Sequence, residues 1–372
     1  MWMTKRIRAG IIGAGFIGAG FIGGVHAHAV RAVGGELSRV ADSSPVSAAA
    51  AAERLGALAA AGSAEALIEA DDVDVVHICT PNATHAELAT LALQAGKAVV
   101  CEKPLATTVA DTARLNRAAK AGGTVAAVPF VYRYYPTVRE ARGRIERGEA
   151  GSLWLLHGSY LQDWLSSSDE TNWRVDPVKG GGSRAFGDIG VHWCDLMEFT
   201  TGHRITRLTA RLARAFEKRR TGDGLVTVGT EDGATVLFET DRGAYGSVVV
   251  SQVSPGRKNR LWFSFDGDAA SYVFDQELPD SLWVGGRTEN RVVPRGPDTL
   301  SIGGGRSYAR LPAGHPQGYQ DCFNAFVGDV YAAMRGQRPD GLPTFEDGHR
   351  AAVLTAAVVE ASENQAWVDV PA

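Results

Sequence analysis

From Arg6 to Val128, short, mostly apolar runs alternate with helix-like segments, and that alternation constrains the fold more than any other feature of the chain. Arg6–Ile12, Glu36–Ala41, Val73–Cys79, Ala98–Cys101 and Val125–Val128 read as strands. Between them, His26–Val33, Val46–Leu55, Ser63–Ala70, Thr84–Ala95 and Val109–Ala121 read as helices, most of them closed by glycine. An unbroken apolar strand has no polar face to offer water, so both faces of its sheet are covered. Strands alternating with helices therefore predict a parallel sheet with helices on both sides.

The pattern changes after Pro129. Pro136–Arg147 reads as a helix, Leu153–Tyr160 opens a strand region, Gln162–Arg184 has no period, and Asp188–Thr201 reads as a helix ended by Gly202. From Ile205 to Val284 short alternating runs recur, with Asp241-Arg242-Gly243 and Asp266-Gly267 between paired runs. Asp-Gly at such a junction is a strong hairpin signal, so these strands are antiparallel. Arg287–Arg310 reads as loop, Tyr319–Met334 as a helix with a core-facing stripe, and Gly348–Glu363 as a final helix. A length of 372 residues suits two domains, 1–129 and 130–372.

The first helix of the N-terminal part is preceded by Gly13-x-Gly15-Phe16-x-Gly18. Glycines after a parallel strand permit a tight turn and a close approach of backbone to a pyrophosphate, which the helix N-terminus attracts. Asp42 closes the second strand, where a carboxylate accepts from an adenosine ribose 2′-hydroxyl and repels a 2′-phosphate; NAD is favoured over NADP. Ser43 and Ser44 offer hydroxyls to a phosphate, and Asp42 also suits a plain turn before Pro45. The five residues Gly13–Ile17 are repeated at 18–22, so Gly18-x-Gly20-x-x-Gly23 matches the same pattern. The upstream strand favours the first set and the distance to Asp42 the second; Gly13, Gly15 and Gly18 are the expected pyrophosphate loop.

Basic residues in Met1–Arg8, the apolar stretch to Val25 and Ala27-His28-Ala29 imitate a secretory leader, but glycines interrupt the stretch repeatedly and weaken a leader helix. No other run approaches the ~18 apolar residues that span a bilayer. The balance of 38 basic against 42 acidic residues excludes a global field for nucleic acid or an anionic membrane; Arg211–Arg220 reads as a solvated strand and loop. Cys79, Cys101, Cys194 and Cys322 form no CxxC pair, which fits a reducing cytoplasm and argues against a disulfide scaffold or structural zinc.

Cys101-Glu102-Lys103-Pro104-Leu105 ends a parallel strand, Thr80-Pro81-Asn82-Ala83-Thr84-His85 follows the strand before it, and Gly187-Asp188-Ile189-Gly190-Val191-His192 opens a helix. Together these segments resemble the family of glucose-fructose oxidoreductase, inositol dehydrogenase and their rhizopine-catabolism relative, over nearly the whole chain. The resemblance implies an α/β fold: a Rossmann domain followed by an α+β domain with a large, open, mostly antiparallel sheet. It implies an NAD-dependent dehydrogenase that oxidises a secondary hydroxyl of a sugar, sugar derivative or cyclitol. Lys103, Asp188 and His192 would be catalytic, with Thr80, Asn82, His85, Glu102 and Lys103 joining the glycine loop, Asp42 and Ser43 at the cofactor. Val131 stands where the family often has Asn, two residues before Arg133.

The residue types suit that chemistry. A carboxylate beside an imidazole orients it and favours its charged form, and an ammonium stabilises a developing alkoxide. A surface Lys103, or an Asp188/His192 pair serving only as a cap or ion pair, is the plainer reading, and a metal held by 188 and 192 lacks a third ligand nearby in sequence. Tyr160, Gln162, Trp173, Arg174 and Tyr319, with Lys103, Asp188 and His192, suit a polyhydroxylated ring; Trp164 and Trp173 equally suit loop anchors in the core. The rival functions are a non-enzymatic NAD-binding sensor and an NAD-assisted glycosidase. A homodimer or homotetramer through the C-terminal sheet is expected, because a sheet covered on one face leaves apolar surface that seeks a partner.

Overall fold

The N-terminal strands are β1 (Arg8–Ile12), β2 (Glu36–Ala41), β3 (Ala59–Ala60), β4 (Val75–Ile78), β5 (Ala98–Cys101) and β6 (Ala126–Ala127), all paired in parallel in the order β3-β2-β1-β4-β5-β6. That is the doubly wound order, in which ligands bind outside the carboxyl ends of the strands where the order reverses, here between β1 and β4. Val75, Val76, Ile78, Val99 and Val100 are fully buried, as unbroken apolar strands require. The computed structural model describes residues 6–13, 20–170, 172–221 and 224–371.

Two units partition the chain: Met1–Pro129 with Val178–Gly181 and Gln320–Ala352 in the first, and Phe130–Pro177, Gly182–Tyr319 and Val353–Ala372 in the second. Within the first, the returning segment completes the core. Phe323 lies edge-on to His26 with ring centroids 4.7 Å apart, Val128 N–H donates to the Pro343 carbonyl at 3.2 Å, and a Cβ on Gly35 would stand 2.7 Å from the Tyr331 ring.

The first helix runs Gly20–Ala32 and starts at Gly20, earlier than the expected His26. Burial explains the extension: Ile22, His26, Ala29 and Val30 are all buried, and packing outweighs the low helix propensity of glycine.

The second unit holds β7 (Leu153–Leu161), β8 (Ile205–Ala213), β9 (Lys218–Thr221), β10 (Gly224–Thr227), β11 (Gly233–Thr240), β12 (Tyr245–Ser251), β13 (Arg260–Gly267), β14 (Ser271–Asp275), β15 (Ser281–Gly285), β16 (Asn290–Pro294) and β17 (Val368–Asp369). β9 and β10 pair with each other, and the rest form one sheet in the order β16-β15-β14-β13-β7-β12-β11-β8-β17. Among the described residues of this sheet, only the β7–β12 pairing is parallel. Hairpins join β11 to β12 across Asp241-Arg242-Gly243, as the sequence puts it, and β13 to β14, where Asp266-Gly267 end β13 and the turn falls on 268–270 instead. The expected loop 287–310 instead carries β16 and a helix, Gly303–Tyr308. Arg219, expected on a solvated strand, is fully buried and pairs with Asp232 at 2.7 Å.

One face of this sheet is a core of Phe238, Phe263, Phe265 and Phe274. Trp193 docks the helix Val191–Thr201 against it: its ring meets Phe238 and Phe265 at 5.9 and 6.2 Å, and its indole N–H donates to the Trp262 carbonyl at 2.9 Å.

Candidate active site

In the first unit the predicted residues stand at the carboxyl ends of the parallel strands. Gly13 follows β1 with φ +88°, and its N–H donates to the Ala41 carbonyl at 2.9 Å. A Cβ there would lie 2.8 Å from the backbone of Cys79 and Thr80, so only glycine fits. Gly15, Phe16 and Gly18 lie outside the described residues, whereas Gly20 and Gly23 of the alternative set lie within the helix Gly20–Ala32. Asp42 follows β2; its Oδ1 accepts from the Ser43 N–H at 2.7 Å and its Oδ2 from the Ser47 hydroxyl at 2.8 Å. The carboxylate is thus held in place before any ligand arrives.

Beyond β4 and β5 the loops are tied together. His85 is fully buried and its two nitrogens reach the Thr80 and Pro104 carbonyls, each at 2.8 Å. Asn82 donates to the Gly180 carbonyl at 2.8 Å. Both side chains tie the loops in place through these bonds. The Thr80 hydroxyl accepts from Thr84 at 2.7 Å. The Lys103–Pro104 peptide is cis.

A buried chain that the sequence does not announce lies behind Lys103. Glu102 accepts from the Lys103 N–H through Oε2 at 3.2 Å and meets His26 Nε2 through Oε1 at 3.1 Å, and His26 Nδ1 faces His77 Nδ1 at 2.8 Å. A carboxylate only accepts, so His26 carries a proton on Nε2. His77 Nε2, at the far end of the chain, is buried with no hydrogen-bond partner. Burial drives the His77 imidazole well below its ordinary range, with His26 adding to the effect. Burial also raises the Cys79 and Cys101 thiols well above theirs, which removes both as nucleophiles.

In the second unit Asp188 sits in a single π-helical turn, Phe186–Gly190, which runs into the helix Val191–Thr201 that carries His192. The sequence predicts a regular helix from Asp188; the structure widens its first turn. Gly190 permits this, since a Cβ on it would lie 2.4 Å from the Phe186 ring. Such π turns occur disproportionately at functional sites. Asp188 Oδ2 accepts from Gln252 Nε2 at 2.8 Å, and Oδ1 lies 3.5 Å from Arg174 Nε. Arg174 itself lies over the Trp173 ring at 4.4 Å.

His192 is buried among aromatic rings, with Tyr132, Phe130 and Tyr160 at 5.1, 5.6 and 6.3 Å between centroids. Tyr319 lies 6.2 Å from Tyr132. Behind the rings runs an amide network. The Tyr132 and Tyr160 hydroxyls bond each other, Tyr160 donates to Asn259 Oδ1 at 2.7 Å, Gln162 donates to the same oxygen at 2.7 Å, and Trp164 donates to Gln162 Oε1 at 2.8 Å. Gln162 and Tyr160 therefore spend their polar groups inside the wall. Burial pushes the Tyr160 phenol well above its ordinary range, so it stays protonated. Tyr132, Asn259 and Gln252 carry no local sequence signal; their partners are distant in the chain.

Among the described residues no group of three or more His, Cys, Asp or Glu is placed to hold a metal ion, and no helix is long and apolar enough to cross a membrane.

Residues 7–130 match a family model described as an oxidoreductase family with an NAD-binding Rossmann fold, and residues 138–273 match the GFO/IDH/MocA C-terminal domain. The chain is 32% identical over 351 residues to levoglucosan dehydrogenase of Pseudarthrobacter phenanthrenivorans, covering 89% of each. It is 27% identical to inositol 2-dehydrogenase of Rhizobium meliloti over 90% of this chain and 92% of that one. Among solved structures, levoglucosan dehydrogenase in complex with NADH and L-sorbose superimposes with a TM-score of 0.91 at 30% identity, over 99% of this chain and 100% of that one. An inositol dehydrogenase homologue from Azotobacter vinelandii complexed with NAD+ gives 0.87 at 28% identity, over 98% of each.

Proposed function

The chain belongs to the Gfo/Idh/MocA family of oxidoreductases, and on that premise we propose that it is an NAD-dependent dehydrogenase oxidising a secondary hydroxyl of a sugar, anhydro sugar or cyclitol. The observation that carries the reading is the second unit's Asp188 and His192 in a wall of tyrosines backed by amides. Aromatic faces suit the C–H faces of a saturated ring, and a buried imidazole beside them suits a hydroxyl edge.

When bound, NAD supplies the hydride acceptor. Gly13 lets backbone approach the pyrophosphate, with Gly15, Phe16 and Gly18 assigned to the same loop. Asp42, already held by Ser43 and Ser47, accepts from the adenosine ribose and repels a 2′-phosphate. His192 takes the hydroxyl proton as hydride leaves the carbon that bears that oxygen, Asp188 orients the imidazole, and the Lys103 ammonium stabilises the oxygen as charge develops. Glu102, anchored by His26, holds the Lys103 backbone through its N–H. Tyr132, Tyr160 and Tyr319 line the ring site, with Gln162, Trp173 and Arg174 supporting it.

The test is a panel of sugars, anhydro sugars and cyclitols with NAD, followed at the NADH absorbance. Turnover of at least one polyol is expected. Tight NAD binding with no turnover of any would replace this reading with that of a sensor. We also assign the outer face of the nine-stranded sheet to self-association as a dimer or tetramer.

A further inference from the structure

Gln252 is the first residue beyond β12 and is fully buried. Its main chain is pinned on both sides: its N–H donates to the Asp232 carbonyl at 3.0 Å, and its own carbonyl accepts from Leu165 at 3.2 Å. Its side chain donates Nε2–H to Asp188 Oδ2 at 2.8 Å, while Oε1 is buried with no partner. A carboxylate only accepts, so the amide cannot be turned the other way.

The bond to Asp188 closes a ring. Asp188 N–H donates to the Arg184 carbonyl at 2.8 Å. The Arg184 guanidinium bonds Asp232 Oδ1, and the Asp232 carbonyl receives the Gln252 N–H. Backbone and carboxylate of Asp188 are thus fixed by one cycle that joins the π turn to the end of β12.

A buried amide with an orphaned oxygen is a poor stabilising choice, since an apolar side chain of similar length would bury nothing unsatisfied. Its presence here is explained by a role at the other end of the amide. We propose that Gln252 is a positioning residue of the dehydrogenase: its amide holds the Asp188 carboxylate in the one orientation that serves proton transfer through His192. The inference rests on the function proposed above.

Three variants test it in the full-length protein. Gln252→Met keeps the length and removes both polar ends. We expect kcat for polyol oxidation to fall about 10- to 100-fold, the scale on which misplacing a catalytic group costs rate. NAD affinity, by titration of protein fluorescence, should stay unchanged, and the melting temperature should hold or rise. In an Asp188→Asn background the same substitution should cost little more, because residues that act as one unit are not additive. Gln252→Glu should regain rate as pH falls, when the new carboxyl is protonated and again donates to Asp188; wild type should lose rate over the same range.

A Gln252→Met enzyme as fast as wild type overturns the inference. So does a loss of rate that comes with a lowered melting temperature and is as large in the Asp188→Asn background. A wild-type protein inert on every polyol would instead sink the dehydrogenase reading itself, and the two failures are therefore distinct.

Discussion

At the residue scale, chemistry and cofactor affinity separate by position. His192→Ala should lower kcat about 10²–10⁴-fold, the worth of a general base. Lys103→Ala should also cut kcat by orders of magnitude, with NAD affinity in isothermal titration changing far less in both. Undiminished turnover in His192→Ala would assign the proton to another group. In the oxidation direction the wild-type rate should rise with pH until the imidazole is neutral, since only the neutral ring accepts a proton. Asp42→Ala should narrow the preference for NAD over NADP; equal dissociation constants for the two in wild type would remove Asp42 from that role. Lys103, Asp188 and His192 can be proposed from the sequence because each sits in a short segment of distinctive residues. Gln252 and Asn259 are not, because their partners Asp188 and Tyr132 are 64 and 127 residues away and no local pattern records such a pairing.

At the scale of elements, the parallel strands were readable because burial on both faces makes them mostly apolar, and the antiparallel ones because alternating runs flank turn residues. Two features escaped that logic. The helix from Gly20 is held by Ile22 and His26 in the core, where packing outweighs local preference, and the π turn at Asp188 brings Gly190 against the Phe186 ring, where a Cβ would clash. The turn after β1 gives a sharp expectation. Gly13→Ala must either leave φ +88° or drive its Cβ into the backbone of Cys79 and Thr80. It should abolish measurable NAD binding while the far-ultraviolet circular dichroism keeps its shape. The burial of His77, with His26 beside it, gives a pH dependence of stability. The folded protein holds His77 neutral, its pKa well below the unfolded value. Below about pH 6.5 the unfolded chain binds a proton there that the folded chain does not, so stability falls with pH by at most ~1.4 kcal/mol per pH unit from this residue. Thermal melts between pH 7.5 and about pH 5 should show the decline, and His77→Phe should flatten it; an unchanged slope would mean other groups set it.

At the scale of the whole molecule, the nine-stranded sheet keeps one face outside its own core. Leu237, Val249 and Tyr245 are 49%, 44% and 62% exposed on neighbouring β11 and β12, and Val292 is 65% exposed on β16. Apolar surface of this kind marks an interaction site. Light scattering at micromolar concentration should give a dimer or tetramer, and Val249→Lys with Leu237→Lys should shift it toward the monomer; a monomeric wild type would free this face of the role assigned to it. The first unit has a different consequence, one of timing. A ribosome delivers residues in order, and domains ordinarily fold as they emerge. Here the strands that cradle the cofactor come out first, yet Phe323 and Tyr331, which pack on His26 and Gly35, lie in a segment that ends at Ala352. The earliest-made part of the protein must therefore wait, incomplete, through the synthesis of nearly all of the second unit. A nascent chain arrested before Gln320 should fail to retain NAD, and one released after Ala352 should hold it.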